Sequence, residues 1–171
     1  MSETARARDR LKEYIVGDFI FDLGAGGSAC HPRAITLDMP QPYCPSLEGH
    51  PQILRGDYRD MPFICEDVAT TVWASHILED WSIAEQIVIV NEWKRILKCF
   101  GNLIILCPNE TTYAQVCRDT GQPHNDNHKL SDYSLEMFKR EVLPHTGSWE
   151  ILYENPLVDT YSWNIVLKKL P

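Results

Sequence analysis

The chain has 171 residues, enough for one domain with a real core and little more. Apolar residues make up 44% and charged residues 23%, an ordinary globular balance, and no apolar run approaches the roughly 20 residues of a membrane span. A net charge of −8 argues against a nucleic-acid coat, which needs clustered Lys and Arg.

The N-terminus, Met1 to Arg10, is charged and has no apolar stretch of the signal-peptide kind, so a cytoplasmic protein with no membrane attachment is expected. Residues 2–16 carry Leu11, Tyr14 and Ile15 on one stripe and predict an N-terminal helix, closed by Gly17-Asp18 within a segment 1–17. Residues 19–23 predict a first strand and residues 34–38 a second. Residues 39–51 hold four of the eleven prolines and read as a loop. Gln52 to Arg55 is a third strand candidate, and Val68 to Ser75 a fourth. Ala84 to Cys99 has helical spacing through Ile87, Val90, Trp93, Ile96 and Leu97. Trp73 and Trp93 are assigned to the core.

Gly101 to Cys107 is almost wholly apolar, as suits a strand buried on both faces. Residues 108–131 are polar and predict a long loop with one helical turn; the region 108–134 is the expected substrate loop. Leu135 to Leu143 predicts an amphipathic helix. Trp149 to Tyr153 and Tyr161 to Lys168 predict two final strands with no helix between them, hence an antiparallel hairpin. Strands alternating with helices imply a single α/β domain over residues 1–171 with a mainly parallel sheet. Six cysteines at 30, 44, 65, 99, 107 and 117 form no C-x-x-C pair and read as buried free thiols in a reducing compartment.

The densest chemistry lies in Phe19-Ile-Phe-Asp-Leu-Gly-Ala-Gly-Gly-Ser28 and Ile35-Thr-Leu-Asp38. A glycine turn after a strand lets a ligand approach the backbone, and a carboxylate ending the neighbouring strand can accept hydrogen bonds from a ribose diol. Asp57 and Ser75-His76 fall at two further strand ends, so four signals share one sheet edge, where ligands of such sheets bind. The residues Gly24 to Ala29 formally match the dinucleotide fingerprint G-x-G-x-x-[GA]. A dinucleotide, however, needs a helix N-terminus for its pyrophosphate, and Pro32 leaves no room for that helix before the second strand. A nucleoside cofactor without phosphates, such as S-adenosylmethionine, does not need it.

These residues resemble a known family, the class I S-adenosylmethionine-dependent methyltransferases of the small type 11 kind. Asp22 to Ser28 looks like the family's first motif and Ile35 to Met39 like its second. Gly56-Asp-Tyr-Arg-Asp-Met-Pro-Phe63 resembles the stretch whose Asp and following backbone read the adenine edge. Trp73 to Glu79 resembles the segment after strand four, and Glu92 to Lys98 with Gly101 and Cys107-Pro-Asn109 the helix and strand that follow. The resemblance implies a Rossmann-like sheet of seven strands in the order 3-2-1-4-5-7-6, mostly parallel with one antiparallel edge strand and a shortened first crossover helix. It implies S-adenosylmethionine as cofactor, with Asp22, Gly24, Ala25, Gly26, Asp38, Met39, Asp57, Tyr58, Ser75 and His76 in its site. The sequence departs from the family pattern at Asp80, at Thr70 and at Cys99-Phe-Gly-Asn102.

The implied activity is in-line methyl transfer to a small-molecule or glycan-type acceptor. His76 and His128 are the expected catalytic groups, and Asp126, His128 and Tyr133 the expected acceptor contacts. His124 and His128, four residues apart, could share a metal on a helix, but spacing shows no third ligand and no metal is expected. Nucleic acid is not the expected acceptor. A different reading is a cofactor-binding module or regulatory subunit without turnover, whose open site is covered by a partner chain or a second copy.

Overall fold

Seven segments of alternating or continuous apolar character pair into one sheet: β1 (Ile20–Leu23), β2 (Ile35–Asp38), β3 (Leu54–Arg55), β4 (Ala69–Ser75), β5 (Leu97–Pro108), β6 (Trp149–Val158) and β7 (Ser162–Lys169). The structure is a computed structural model describing residues 3–26, 29–39 and 54–171. The strand order is β3-β2-β1-β4-β5-β7-β6. The pairs β1/β2, β1/β4, β2/β3 and β4/β5 are parallel, and β7 runs antiparallel to both β5 and β6. This is the Rossmann-like methyltransferase topology expected from the sequence.

Side chains alternate across a strand, so each central strand feeds two cores. Phe21, Leu23, Val72, Leu103, Ile105, Ile165 and Leu167 face one side, against Ile89, Val90 and Trp93 of helix α2 (Ile83–Ile96). Ile20, Trp73, Ile104, Leu106 and Val166 face the other, against Ala7 and Leu11 of helix α1 (Glu3–Leu11). Trp73 and Trp93 are fully buried, as the sequence predicts. The other helices are α3 (Glu110–Thr120) and α4 (Leu135–Met137), the latter continued by a π turn at Phe138–Val142 and a 3-10 turn at Leu143–His145.

Several boundaries differ from the sequence reading, each for a tertiary reason. The first helix stops at Leu11 and tightens into a 3-10 turn over Lys12–Tyr14. Strand side chains take the backbone groups that a longer helix would use: Asn102 Nδ2 donates to Tyr14 O (2.9 Å), and Thr71 Oγ1 exchanges hydrogen bonds with Val16. Helix α2 ends at Ile96, not Cys99, and β5 begins at once. The Lys169 ammonium reaches back from β7 to the carbonyls of Lys94 (3.0 Å) and Leu97 (2.6 Å), closing the helix end.

The expected loop 108–131 contains the 11-residue helix α3. Its signal is capping rather than hydrophobic period. The Asn109 side chain accepts from Thr112 N, Gly121 ends the helix at φ +70°, and only Glu110 and Cys117 are buried. Residues 29–34 of the first crossover form a turn, not a helix. The third strand candidate is seen only as Leu54–Arg55; Gln52, Ile53, Cys44 and the proline loop from residue 40 lie outside the described residues. All five described cysteines are free: Cys30, Cys107 and Cys117 are buried, but Cys65 and Cys99 are exposed, against expectation. Among the described residues, no helix is long and apolar enough to cross a membrane.

Candidate cofactor and acceptor site

The C-terminal ends of β1, β2, β3 and β4 lie along one edge of the sheet, and strand order reverses between β1 and β4. Gly24 leaves β1 at φ +69° and donates to Leu37 O across the β1/β2 gap (2.9 Å). A side chain at Gly24 would collide with Ile77 just beyond β4. Gly26, at φ +55°, is different: a Cβ there would meet nothing within 4 Å. The turn is therefore tight underneath and open above.

Asp38 ends β2 and is 7% exposed. Its carboxylate accepts from Gly26 N (2.9 Å) and Met39 N (2.8 Å), joining the glycine turn to the strand-two end. The next strand end is tied in by Gly56 N, which donates to Asp38 O (3.1 Å). An open left-handed glycine beside a carboxylate fits the ribose-bearing part of S-adenosylmethionine.

Asp22 lies one residue before the end of β1, on the face that Ile20 turns toward the N-terminal helix. It is 2% exposed and accepts from Cys30 N, pinning the crossover to the strand. Burial pushes its pKa up to about 7. Asp57 pairs with Arg59, whose Nε (2.8 Å), Nη2 (2.6 Å) and backbone N (2.9 Å) all donate to it. Burial alone would raise the Asp57 pKa, but these bonds and the guanidinium charge outweigh it and hold the carboxyl below its usual range. Arg59 in turn lies over the Trp81 ring, 4.2 Å from its centroid. Tyr58 is a core residue: its hydroxyl accepts from Trp81 Nε1 (3.1 Å) and its carbonyl from Trp93 Nε1 (2.9 Å). A cavity of about 470 Å³ is lined by Asp57, Arg59, Asp60, Ala84, Glu85, Val88 and Ile89, apart from the glycine turn.

At the end of β4, Ser75 Oγ sits 3.3 Å from Thr4 Oγ1 of α1. Arg6 (2.9 Å) and Arg10 (3.1 Å) of the same helix pair with Asp159 in the β6/β7 turn. The N-terminal helix is thus fastened to this edge of the sheet. His76 follows in a left-handed conformation, φ +56°, an arrangement uncommon for a side chain of this size. Its Nδ1 is 3.4 Å from Glu79 Oε1, and its ring meets the Tyr161 ring edge-on at 6.4 Å. Asp80 has its pKa pushed up to about 6 by burial and then by the Glu79 charge.

The segment after α3 folds back onto this edge. Lys129 N donates to Glu79 O (2.9 Å), and Glu110 N to Tyr133 O (2.8 Å). His128 Nδ1 contacts Glu110 Oε2 (2.8 Å), and His124 Nε2 contacts the other oxygen of Glu110. His128 Nε2 lies 4.0 Å from Glu79 Oε1. His76 and His128 are thereby brought together through Glu79. Tyr133 is not at the surface: it is fully buried, its hydroxyl donates to Gln86 Oε1 (2.9 Å), and its ring packs on Trp163. Asp126 stands exposed in the turn between the two histidines. Glu110 escaped the sequence reading because α3 did; the signal for both was Asn109-Glu110, a cap residue followed by a first-turn acid.

No protein-family model matches the sequence, and no curated protein matches it. Solved structures do. An S-adenosylmethionine-dependent methyltransferase from Archaeoglobus fulgidus superposes with a TM-score of 0.69 at 16% identity, covering 98% of this chain and 95% of that one. A protein whose structure concerns conversion of a disulfide bond into a thioacetal group in echinomycin biosynthesis gives 0.68 at 13%, covering 96% and 80%. The mitomycin 7-O-methyltransferase gives 0.66 at 15%, covering 97% of this chain and 53% of that one. At these identities the shared property is the fold: the chain has the class I methyltransferase fold.

Proposed function

We propose that this chain is an S-adenosylmethionine-dependent methyltransferase of the small type 11 kind, acting on a small-molecule or glycan-type acceptor. The observation that carries the reading is the Gly26–Asp38 pair, an open left-handed glycine hydrogen-bonded to a strand-end carboxylate at the switch point. The motif order from Asp22 to Asn109 and the fold shared with solved methyltransferases support it.

Bound there, S-adenosylmethionine would supply a sulfonium-activated methyl group whose in-line transfer leaves S-adenosylhomocysteine. The chain's own residues bind and orient. Gly24, Ala25 and Gly26 give close backbone approach, Asp38 accepts from the ribose hydroxyls, and Met39 closes beside it. Asp57, already held by Arg59, and the Tyr58 backbone sit at the adenine side. Ser75 and His76 flank the reacting end. Most of the work is alignment of two reactants. His76, held by Glu79, orients the acceptor and takes its proton where it carries one. Asp126 reaches the acceptor only from an exposed turn, so its role rests on position in the chain.

Asp38→Ala tests the assignment. It should weaken S-adenosylmethionine binding by about 1–3 kcal/mol through lost charge-assisted hydrogen bonds. Unchanged affinity in a calorimetric titration would place the ribose elsewhere.

A further inference from the structure

Glu79 and Glu110 are 2% and 1% exposed, and among the described residues no Lys or Arg forms an ion pair with either. A buried carboxylate needs a compensating charge. The groups gathered around this pair are imidazoles: His124 and His128 on Glu110, and His76 and His128 on Glu79. Imidazoles can offset a carboxylate by holding protons, or by sharing a cation with it.

We propose that Glu110, His124 and His128 form a binding site for a divalent first-row transition-metal ion. One ligand atom from each lies within 4.8 Å of the other two. Ligand bonds of about 2.0–2.2 Å require such atoms to stand roughly 3–3.4 Å apart, so ångström-scale side-chain movement accommodates an ion. Two imidazoles and one carboxylate suit Zn²⁺, Mn²⁺, Fe²⁺ or Co²⁺ better than Mg²⁺ or Ca²⁺, which prefer oxygen ligands.

A second observation concerns Glu79, which lies outside the three ligands. His128 presents Nδ1 to Glu110 and Nε2 to Glu79, at 2.8 and 4.0 Å. A metal-bound imidazole whose other nitrogen faces a carboxylate is the usual outer-shell arrangement, fixing ring orientation. The second oxygen of Glu79 is buried and has no hydrogen-bond partner. The chain gathers the constellation from several elements: Glu110 opens α3, Lys129 N is bonded to Glu79 O, and the Tyr113 ring packs 5.2 and 5.1 Å from the His124 and His128 rings. The side chain of His124 is 40% exposed, so three protein ligands would leave coordination positions open toward solvent. Open positions are a feature of catalytic rather than structural sites.

The test uses the full chain, stripped with a chelator and titrated with Co²⁺ in the absence of S-adenosylmethionine. It therefore reads ion binding whether or not the methyl-donor assignment holds. Calorimetry should give one ion per chain with micromolar or tighter affinity. The visible spectrum should show d–d bands without the strong near-ultraviolet band of thiolate ligation, and Cys65→Ser/Cys99→Ser should bind as the wild type does. His124→Ala changes an exposed side chain and should fold normally by circular dichroism while weakening Co²⁺ by roughly tenfold or more. Glu110→Gln should do the same; if that buried substitution unfolds the chain, His124→Ala still decides. No stoichiometric binding, a thiolate spectrum, or Co²⁺ affinity unchanged in His124→Ala would each overturn the proposal.

Discussion

Asp22 and Asp38 show how far apart two strand-end acids can be in role. Asp38 sits at the β2 tip on the glycine turn, whereas Asp22 is enclosed beside Cys30 and the N-terminal helix. The pKa of Asp22, raised by burial to about 7, makes it a stability switch. Between the unfolded value near 3.8 and about 7, the folded state holds a proton that the unfolded state has lost. Stability contributed by this group is therefore full below about pH 4 and falls as pH rises through that window. Asp22→Asn keeps an oxygen for Cys30 N and removes the titration. Thermal melts of the two ligand-free proteins should run together near pH 4 and part up to pH 7, the variant gaining about 1.4 kcal/mol per pH unit at most. Parallel curves would mean that Asp22 is ionised in the fold.

At the scale of the element, the most consequential segment is the one joining α2 to β5. Helix α2 is fixed at its start by a capping box between Ser82 and Glu85. At its end Arg95 spans Glu92 (2.7 and 2.8 Å) and the carbonyls of Met61 and Ile64, so the E-x-x-R motif clamps the loop after β3. The chain then turns within strand β5, where Phe100 adopts φ +65° and is 62% exposed. The family pattern has glycines here. A bulky residue in the left-handed region costs about 1–2 kcal/mol, and glycine returns part of that gain as unfolded-state entropy. Phe100→Gly should therefore stabilise the chain by about 0.5–1 kcal/mol in a denaturant titration, with an unchanged m-value. A loss of stability would show that the exposed ring contributes packing that outweighs the strain.

For the molecule as a whole, the sheet and the residues placed at its strand ends were legible because they rest on patterns local in sequence. The apolar runs at 19–23, 68–75 and 101–107, the glycine turn and the Asp38 tip each carry their own signal. Elements held by distant partners were not legible. Helix α3 has too little buried surface to show a period, the end of α2 depends on Lys169 from the last strand, and the early stop of α1 depends on Asn102 and Thr71. The same limit applies to the site. His76 and His128 could be picked out singly, but their meeting through Glu79, and the closure of His124 and His128 on Glu110, join β4, α3 and a loop in three dimensions. The burial of Tyr133 was not legible for the converse reason: a polar aromatic in a polar segment is fully buried, its hydroxyl donating to Gln86 of α2.

If the edge built from Gly24, Gly26 and Asp38 holds S-adenosylmethionine, calorimetric titration of the purified chain with S-adenosylmethionine, S-adenosylhomocysteine and NADH should give micromolar binding of the first two, one per chain, and none of NADH. Binding of NADH in their place would mean that the edge holds a dinucleotide instead.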